Sequence, residues 1–172
     1  MCGGNIAGPQ SGNLSIKKNN YDELMDEYHL CPLDDIGNPK YEFYFLYKNG
    51  RCFCKEFIDS LQQKSDIDEL AELLAIMGKV DNNNLPQSKY RHITGGKRDR
   101  KDVYEFKTKH LRLYAIKKEP DYYLVVAGYK KGQDKDIAKV FRHFNYIPDR
   151  IAIKDESDEV EAGKDSGSDD VK

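Results

Sequence analysis

Three strand-like runs in the second half of the chain constrain its fold more than any other feature. They cover residues 103–108, 111–116 and 122–129, and only short polar segments separate them. Strands joined by such short connections pair with their neighbours in antiparallel fashion. The sequence therefore predicts an antiparallel meander, whose third run is apolar enough to lie at the centre of a sheet.

Two helical patterns precede the meander. Apolar residues at helical spacing cover 57–61 and 67–77, and Asp66 with Glu69 resembles a capping box at the start of the second helix. The remaining predicted elements are a strand at 41–47, a short strand at 89–94 and a final helix at 134–144. The order β-α-α-β-β-β-β-α predicts an α+β fold, in which a small, twisted, mainly antiparallel sheet packs against a helical hairpin and a C-terminal helix.

The composition of the two ends differs from that of the middle, and 172 residues suffice for one domain with appendages. Residues 1–40 are predicted to be an N-terminal extension, partly disordered, with a helix-like stretch at 21–29 and a linker at 31–39. Residues 148–172 are predicted to be an acidic disordered tail. The predicted folded domain is 41–147.

The net charge of −2 hides a strong internal asymmetry. Residues 1–86 carry 8 Lys and Arg against 14 Asp and Glu, whereas residues 87–154 carry 18 against 8. Residues 155–172 are acidic again, with 2 against 8. A middle segment this basic attracts phosphates, so a polyanion such as RNA is the expected partner.

The sequence also predicts a cytoplasmic protein. No apolar run approaches the roughly 20 residues needed to cross a bilayer, and the first residues do not resemble a secretory signal. The four cysteines, Cys2, Cys31, Cys52 and Cys54, are then expected to be free thiols. Their spacing lacks paired CxxC motifs, so neither a metal site nor a cofactor is predicted.

A pair of like charges marks the predicted functional surface. If a tight turn at Lys109-His110 joins the first two strands of the meander, Lys107 faces Arg112 across the hairpin. Like charges held opposite each other destabilise a sheet, so an anion is expected between them. The alternative is a solvated sheet face without a ligand.

The neighbouring residues extend this surface. Lys130 and Lys131 leave the third strand of the meander beside the hairpin, and Tyr114 and Tyr129 offer rings for base stacking. Further RNA contacts are predicted at the hairpin tip and in a basic loop, namely at Lys109, His110, Arg98, Arg100 and Lys101.

Several short motifs together resemble one family. Asn49-Gly50 followed by KEFIDSL at 55–61 resembles the opening of HigB-like, phage-derived members of the RelE superfamily. YEFK at 104–107, LRLY at 111–114 and AGYKK at 127–131 resemble the strands of that family in order and spacing. The resemblance covers about 41–144 and implies a RelE-like fold.

The resemblance implies a toxin of a type II toxin-antitoxin system, a ribosome-dependent mRNA endoribonuclease that is held in check by an antitoxin protein. In such a metal-free site, the RNA 2′-hydroxyl attacks the adjacent phosphate. By position, Arg112 would hold the scissile phosphate and Lys107 would act as a base or second clamp. Lys130 or Lys131 would neutralise charge near the leaving group.

Two alternatives remain open from the sequence. A ParE-like relative would use the same fold to inhibit a protein target such as gyrase without cutting RNA. A catalytically silent member would act as an RNA-binding or protein-binding module. Lys107 stands where many relatives have Arg, which leaves the identity of the general base and acid open.

Overall fold

The computed structural model of the chain describes residues 25–38, 40–80, 85–93 and 102–159. The basic-loop residues Arg98, Arg100 and Lys101 lie outside the described residues, and so do most of the predicted N-terminal extension and the end of the acidic tail.

Seven strands and three α-helices make up the described part of the chain. In chain order they are β1 (Tyr28–Pro32), β2 (Phe43–Lys48), α1 (Phe53–Ser60), α2 (Lys64–Gly78), β3 (Tyr90–His92), β4 (Val103–Lys107), β5 (Leu111–Lys118), β6 (Asp121–Tyr129), α3 (Gln133–His143) and β7 (Ala152–Ile153). The strands form one mixed sheet in the order β3-β4-β5-β6-β2-β1-β7. The predicted α+β class is confirmed.

The meander has the predicted register. Strands β4, β5 and β6 pair antiparallel, with Lys107 opposite Arg112 in the first pair and Leu111 opposite Tyr129 in the second. Strand β6 lies inside the sheet because β2 pairs with its other edge in parallel orientation, Phe45 being opposite Leu124. The prediction of a facing Lys107–Arg112 pair is therefore confirmed.

Two strands lie outside the predicted domain boundaries. Strand β1 pairs antiparallel with β2, and β7 pairs parallel with β1. The helix expected at 21–29 is wrong for Tyr28 and His29, and the linker expected at 31–39 begins as part of β1. The physical reason is that β2 offers an unpaired edge, and burying Leu30 and Cys31 against the core stabilises pairing there.

Helices cover both faces of the sheet. Helices α1 and α2 pack on one face, over a core that includes Phe43, Phe106 and Leu113. Helix α3 packs on the opposite face, over Tyr114, Val126 and other residues of a second core. No helix among the described residues combines the length and apolar character needed to cross a membrane.

A tight turn at Asn49-Gly50 lies between β2 and α1. Both residues have positive φ angles, 51° at Asn49 and 74° at Gly50. Asn and Gly are the residues that adopt this left-handed conformation most readily. The turn brings Phe53, the first residue of α1, close to α3, where its ring lies 6.3 Å from that of Phe144.

Candidate functional site

The tip of the β4–β5 hairpin is fixed to α2 by one carboxylate. Glu69 accepts hydrogen bonds from the Thr108 hydroxyl at 2.5 Å and from the backbone N–H of His110 at 2.8 Å. Its other oxygen, Oε1, lies 2.5 Å from Nδ1 of the His110 ring. Glu69 therefore holds both the backbone of the tip and the imidazole of His110.

These hydrogen bonds define the ionisation state of Glu69. Burial opposes ionisation, but the hydrogen bonds from Thr108 and His110 outweigh it and lower the pKa of Glu69 to about 2. An ionised carboxylate only accepts hydrogen bonds, so Nδ1 of His110 carries the proton. In a neutral imidazole held in this way, Nε2 is the acceptor nitrogen, and it points away from Glu69.

The predicted capping box at Asp66 and Glu69 is not formed. Helix α2 begins earlier, at Lys64, because the backbone N–H groups of Asp66 and Ile67 already donate to the carbonyl of Gln63. Both acidic side chains reach other elements instead. Asp66 accepts a hydrogen bond of 2.8 Å from the Tyr129 hydroxyl at the end of β6.

His110 opens onto a cleft at this end of the sheet. The cleft has a volume of about 640 Å³ and is lined by Ser65, Asp66, His110, Tyr129, Lys130 and Lys131. The backbone N–H of Lys130 donates to the carbonyl of His110 at 2.6 Å, which holds the two segments together. We call this space the His110 cleft. It combines a histidine base, two lysines and an aromatic ring.

The opposite face of the same hairpin holds a buried polar network. Glu105 is 0% exposed, and its carboxylate accepts from Arg91 Nε at 2.6 Å and from the Tyr114 hydroxyl at 3.2 Å. Arg112 Nε lies 3.7 Å from Glu105, and its Nη1 donates to the carbonyls of Thr108 and Leu111. With 8% of its side chain exposed, Arg112 mainly braces the hairpin.

Positive charge exceeds negative charge on this face. Three cations, Arg91, Lys107 and Arg112, lie around the carboxylate of Glu105. Burial lowers the pKa of Lys107, and the positive charges of Arg91 and Arg112 lower it further, while Glu105 acts in the opposite direction. An anion placed beside Lys107 would relieve this repulsion.

The structure divides the sequence-predicted residues between the two faces. His110, Tyr129, Lys130 and Lys131 come together in the His110 cleft. Lys107 and Arg112 lie opposite each other on the other face of the hairpin, the face covered by α3. There Arg112 Nε also donates to Gln133 of α3 at 3.4 Å. Lys109 is exposed at the hairpin tip.

One sequence-predicted role does not fit the geometry. Tyr114, expected to stack on a base, is 0% exposed, and its hydroxyl donates to Glu105. Helix α3 covers this part of the sheet, so burial removes the ring from the surface. Tyr114 is part of the support of Glu105 instead.

Sequence reasoning missed Glu69 as a site residue because its position imitates a helix cap. It also missed Arg91, which lies on the short strand β3 opposite Glu105. A signal for Arg91 exists in the sequence, since a charged residue at the centre of a strand facing an acidic one predicts a cross-strand pair. Within the described ranges, no group of three His, Cys, Asp or Glu side chains is arranged to hold a metal ion.

Comparison with known proteins adds no relative to this description. No protein-family model matches the chain, and no curated protein and no solved structure matches it.

Proposed function

We propose that this chain is an RNA-cleaving toxin of the RelE/HigB type, with a RelE-like fold. It acts on mRNA at the ribosome and is neutralised by a cognate antitoxin protein. The motif resemblance supports the family, and the cation-rich end of the sheet supports RNA as the ligand. The motif resemblance implies the ribosome and the antitoxin as partners.

The observation that carries the proposal is the hydrogen-bonded pair of Glu69 and His110 beside a cleft that also presents Lys130 and Lys131. Cleavage of RNA by its own 2′-hydroxyl requires a base at that hydroxyl and positive charge at the phosphate. Phosphate binding alone requires only cations. A histidine oriented by a carboxylate at the same place favours chemistry over simple binding.

The proposed reaction follows from these groups. Nε2 of His110 accepts the proton of the 2′-hydroxyl, and the 2′-oxygen forms a bond to the adjacent phosphorus. Lys130 and Lys131 stabilise the negative charge that accumulates on the phosphate oxygens. The bond from phosphorus to the 5′-oxygen breaks, a proton is delivered to that oxygen, and the products are a 2′,3′-cyclic phosphate and a 5′-hydroxyl end.

The opposite face has a supporting role in the proposal. Lys107 and Arg91 bind phosphates next to the reacting one, and Arg112 positions the hairpin rather than the substrate. The general base and the cations at the reacting phosphate are therefore residues of the His110 cleft and not the Lys107–Arg112 pair. Lys107 remains a clamp for a neighbouring phosphate.

The test is cleavage of a defined mRNA in the presence of ribosomes, with the 5′ ends of the products mapped. His110→Gln is expected to slow cleavage by about 10²- to 10⁴-fold, as loss of a general base does. The control is Lys135→Ala, an exposed α3 residue outside the cleft lining, which should leave the rate unchanged.

Several results would contradict the proposal. Equal rates for the wild type and His110→Gln would remove His110 from the chemistry. Growth arrest with intact transcripts and damaged DNA would instead assign the chain to inhibitors of a protein target. RNA binding without any cleavage or arrest would leave a binding module.

A further inference from the structure

A second cleft adjoins the His110 cleft. It has a volume of about 460 Å³ and shares Tyr129 and Lys131 with its neighbour. Its floor is the end of β6 at Ala127 and Gly128, and its walls come from the first turns of α1 and α3. It therefore lies beside the C-terminal end of β6, which pairs in parallel with β2. In α/β sheets, the carboxyl ends of parallel strands are where ligands commonly bind.

Aromatic rings form one wall of this second cleft. Phe57 packs edge-on against Tyr129 at a centroid distance of 5.1 Å. Phe53 lies beneath two cations, with Arg51 at 5.0 Å and Lys139 at 5.3 Å from its ring. Arg51 is itself paired with Glu56, another lining residue, at 2.9 Å, whereas Lys131 and Lys139 are further cations of the lining. Aromatic surface with lysines beside it matches a nucleotide, whose base is aromatic and whose phosphate is an anion.

A carboxylate lies at the bottom of the cleft. Asp136 is 14% exposed, and a Cβ atom added to Gly128 would lie 2.0 Å from Asp136 Oδ2. Burial raises the pKa of Asp136, and Lys139 at 3.8 Å acts against that shift. Across the part of the chain that the structure describes, no donor forms a hydrogen bond to this carboxylate. Its Oδ2 packs against Gly128 and its Oδ1 lies 3.8 Å from Lys139, and Asp136 lines the cleft.

Helix capping does not explain this arrangement. An acidic residue in the first turn of α3 stabilises the helix through its dipole, but an exposed residue does so as well. Asp134 is in the same turn and is exposed. A carboxylate that is only 14% exposed has lost much of its hydration and gains from hydrogen-bond donors. A ligand with N–H groups would supply them.

We propose that this second cleft binds a guanine base of the RNA next to the scissile phosphate, with Asp136 accepting hydrogen bonds from its N1–H and amino groups. The inference rests on the proposed function for the identity of the ligand as RNA. Guanine is the base that presents two adjacent donors on its Watson–Crick edge, which match the two oxygens of a carboxylate. Tyr129 and Lys131 border both clefts, so one dinucleotide step spans them.

The first experiment measures nucleotide binding without cleavage. The full chain is titrated with 5′-GMP, 5′-AMP, 5′-CMP and 5′-UMP, and chemical-shift changes are followed by NMR. A well-formed pair of base contacts discriminates by about 1 to 3 kcal/mol, or about 5- to 150-fold. GMP is therefore expected to bind at least about fivefold more tightly than the other three. Equal affinities would overturn the inference.

Matched variants on one helix turn identify the carboxylate. Asp136→Asn is expected to remove the preference for GMP, whereas Asp134→Asn, with the same loss of charge on an exposed side chain, should retain it. Thermal unfolding of both variants confirms that each is folded. An unchanged preference in Asp136→Asn would refute the role of Asp136.

Mapping the cut sites separates this inference from the proposed function. In the wild type, cuts are expected next to guanines, and Asp136→Asn should spread them over other bases while cleavage continues. If the wild type and Asp136→Asn both cleave without base preference, the guanine site is refuted and the proposed nuclease function is not. Selective binding of GMP without any RNA cleavage would refute the nuclease function but support the nucleotide site.

Discussion

Replacing Glu69 by Gln tests the link between α2 and the hairpin tip. The pKa of Glu69 falls from 4.5 to about 2 on folding. Each pKa unit corresponds to about 1.4 kcal/mol of preference for the ionised form in the folded state. A shift of this size corresponds to about 3 kcal/mol, and Gln keeps one acceptor oxygen, so we expect a loss of roughly 2 kcal/mol at pH 7.

The direction of the Glu69 pKa shift determines how this stabilisation changes with pH. Because the folded-state pKa lies below the unfolded one, the carboxylate stabilises the fold fully above pH 4.5 and loses this effect as the pH falls toward 2. The difference in unfolding free energy between the wild type and Glu69→Gln should therefore shrink steadily below pH 4.5. Urea titrations followed by far-UV circular dichroism at several pH values measure it.

A matched control lies one turn further along α2. Glu72 pairs with Lys89 at the surface, and 45% of its side chain is exposed. Exposed pairs contribute about 0 to 1 kcal/mol, so Glu72→Gln should cost little at any pH. A Glu69→Gln variant as stable as Glu72→Gln at pH 7 would refute the electrostatic account of the hairpin anchor.

Three further outcomes follow from named contacts. Lys107→Ala should reduce the slope of log affinity for RNA against log salt concentration by about 1, and an unchanged slope would remove Lys107 from phosphate contact. Tyr90→Phe and Tyr122→Phe should each lower the free energy of unfolding by about 1 kcal/mol, because their hydroxyls form a hydrogen bond of 2.7 Å. The double variant should lower it by less than the sum of the two, which urea titrations measure. Gly128→Ala should lower the free energy of unfolding by about 1 kcal/mol, and with it the melting temperature, because the new Cβ displaces the Asp136 carboxylate. Adding Asp136→Ala to that variant should restore most of the melting temperature.

The sequence predicted the interior of the fold well, because local patterns determine it. The hairpin register that places Lys107 opposite Arg112 follows from strand alternation and a short turn, and the structure has it. The apolar pattern over 67–77 predicted the second helix, and α2 ends one residue beyond it, at Gly78. Strand β1 was missed because its apolar run is brief and its partner β2 lies beyond a segment rich in turn residues. Pairing across such a segment leaves no periodic signal.

The site was predicted only where it follows from strand geometry. Lys130 and Lys131 follow β6, which pairs with β5, so a position near the hairpin was predictable. The structure places them in the His110 cleft, however, and not in the expected cluster with Lys107 and Arg112. The contact of Glu69 with His110 joins residues 41 positions apart and depends on how α2 packs across the sheet. No local pattern carries that information, and the resemblance to a capping box concealed it.

The burial of Arg112 changes what an experiment on the facing pair can show. Its guanidinium donates to two backbone carbonyls and lies beside the buried Glu105, so Arg112→Ala leaves a carboxylate without part of its compensation. Breaking a buried charge network in this way costs about 3 to 5 kcal/mol, which is enough to unfold many domains. Lost activity in that variant would therefore report on folding. Lys107, which is partly exposed and has like-charged neighbours, tests RNA contact on this face without removing the support of Glu105.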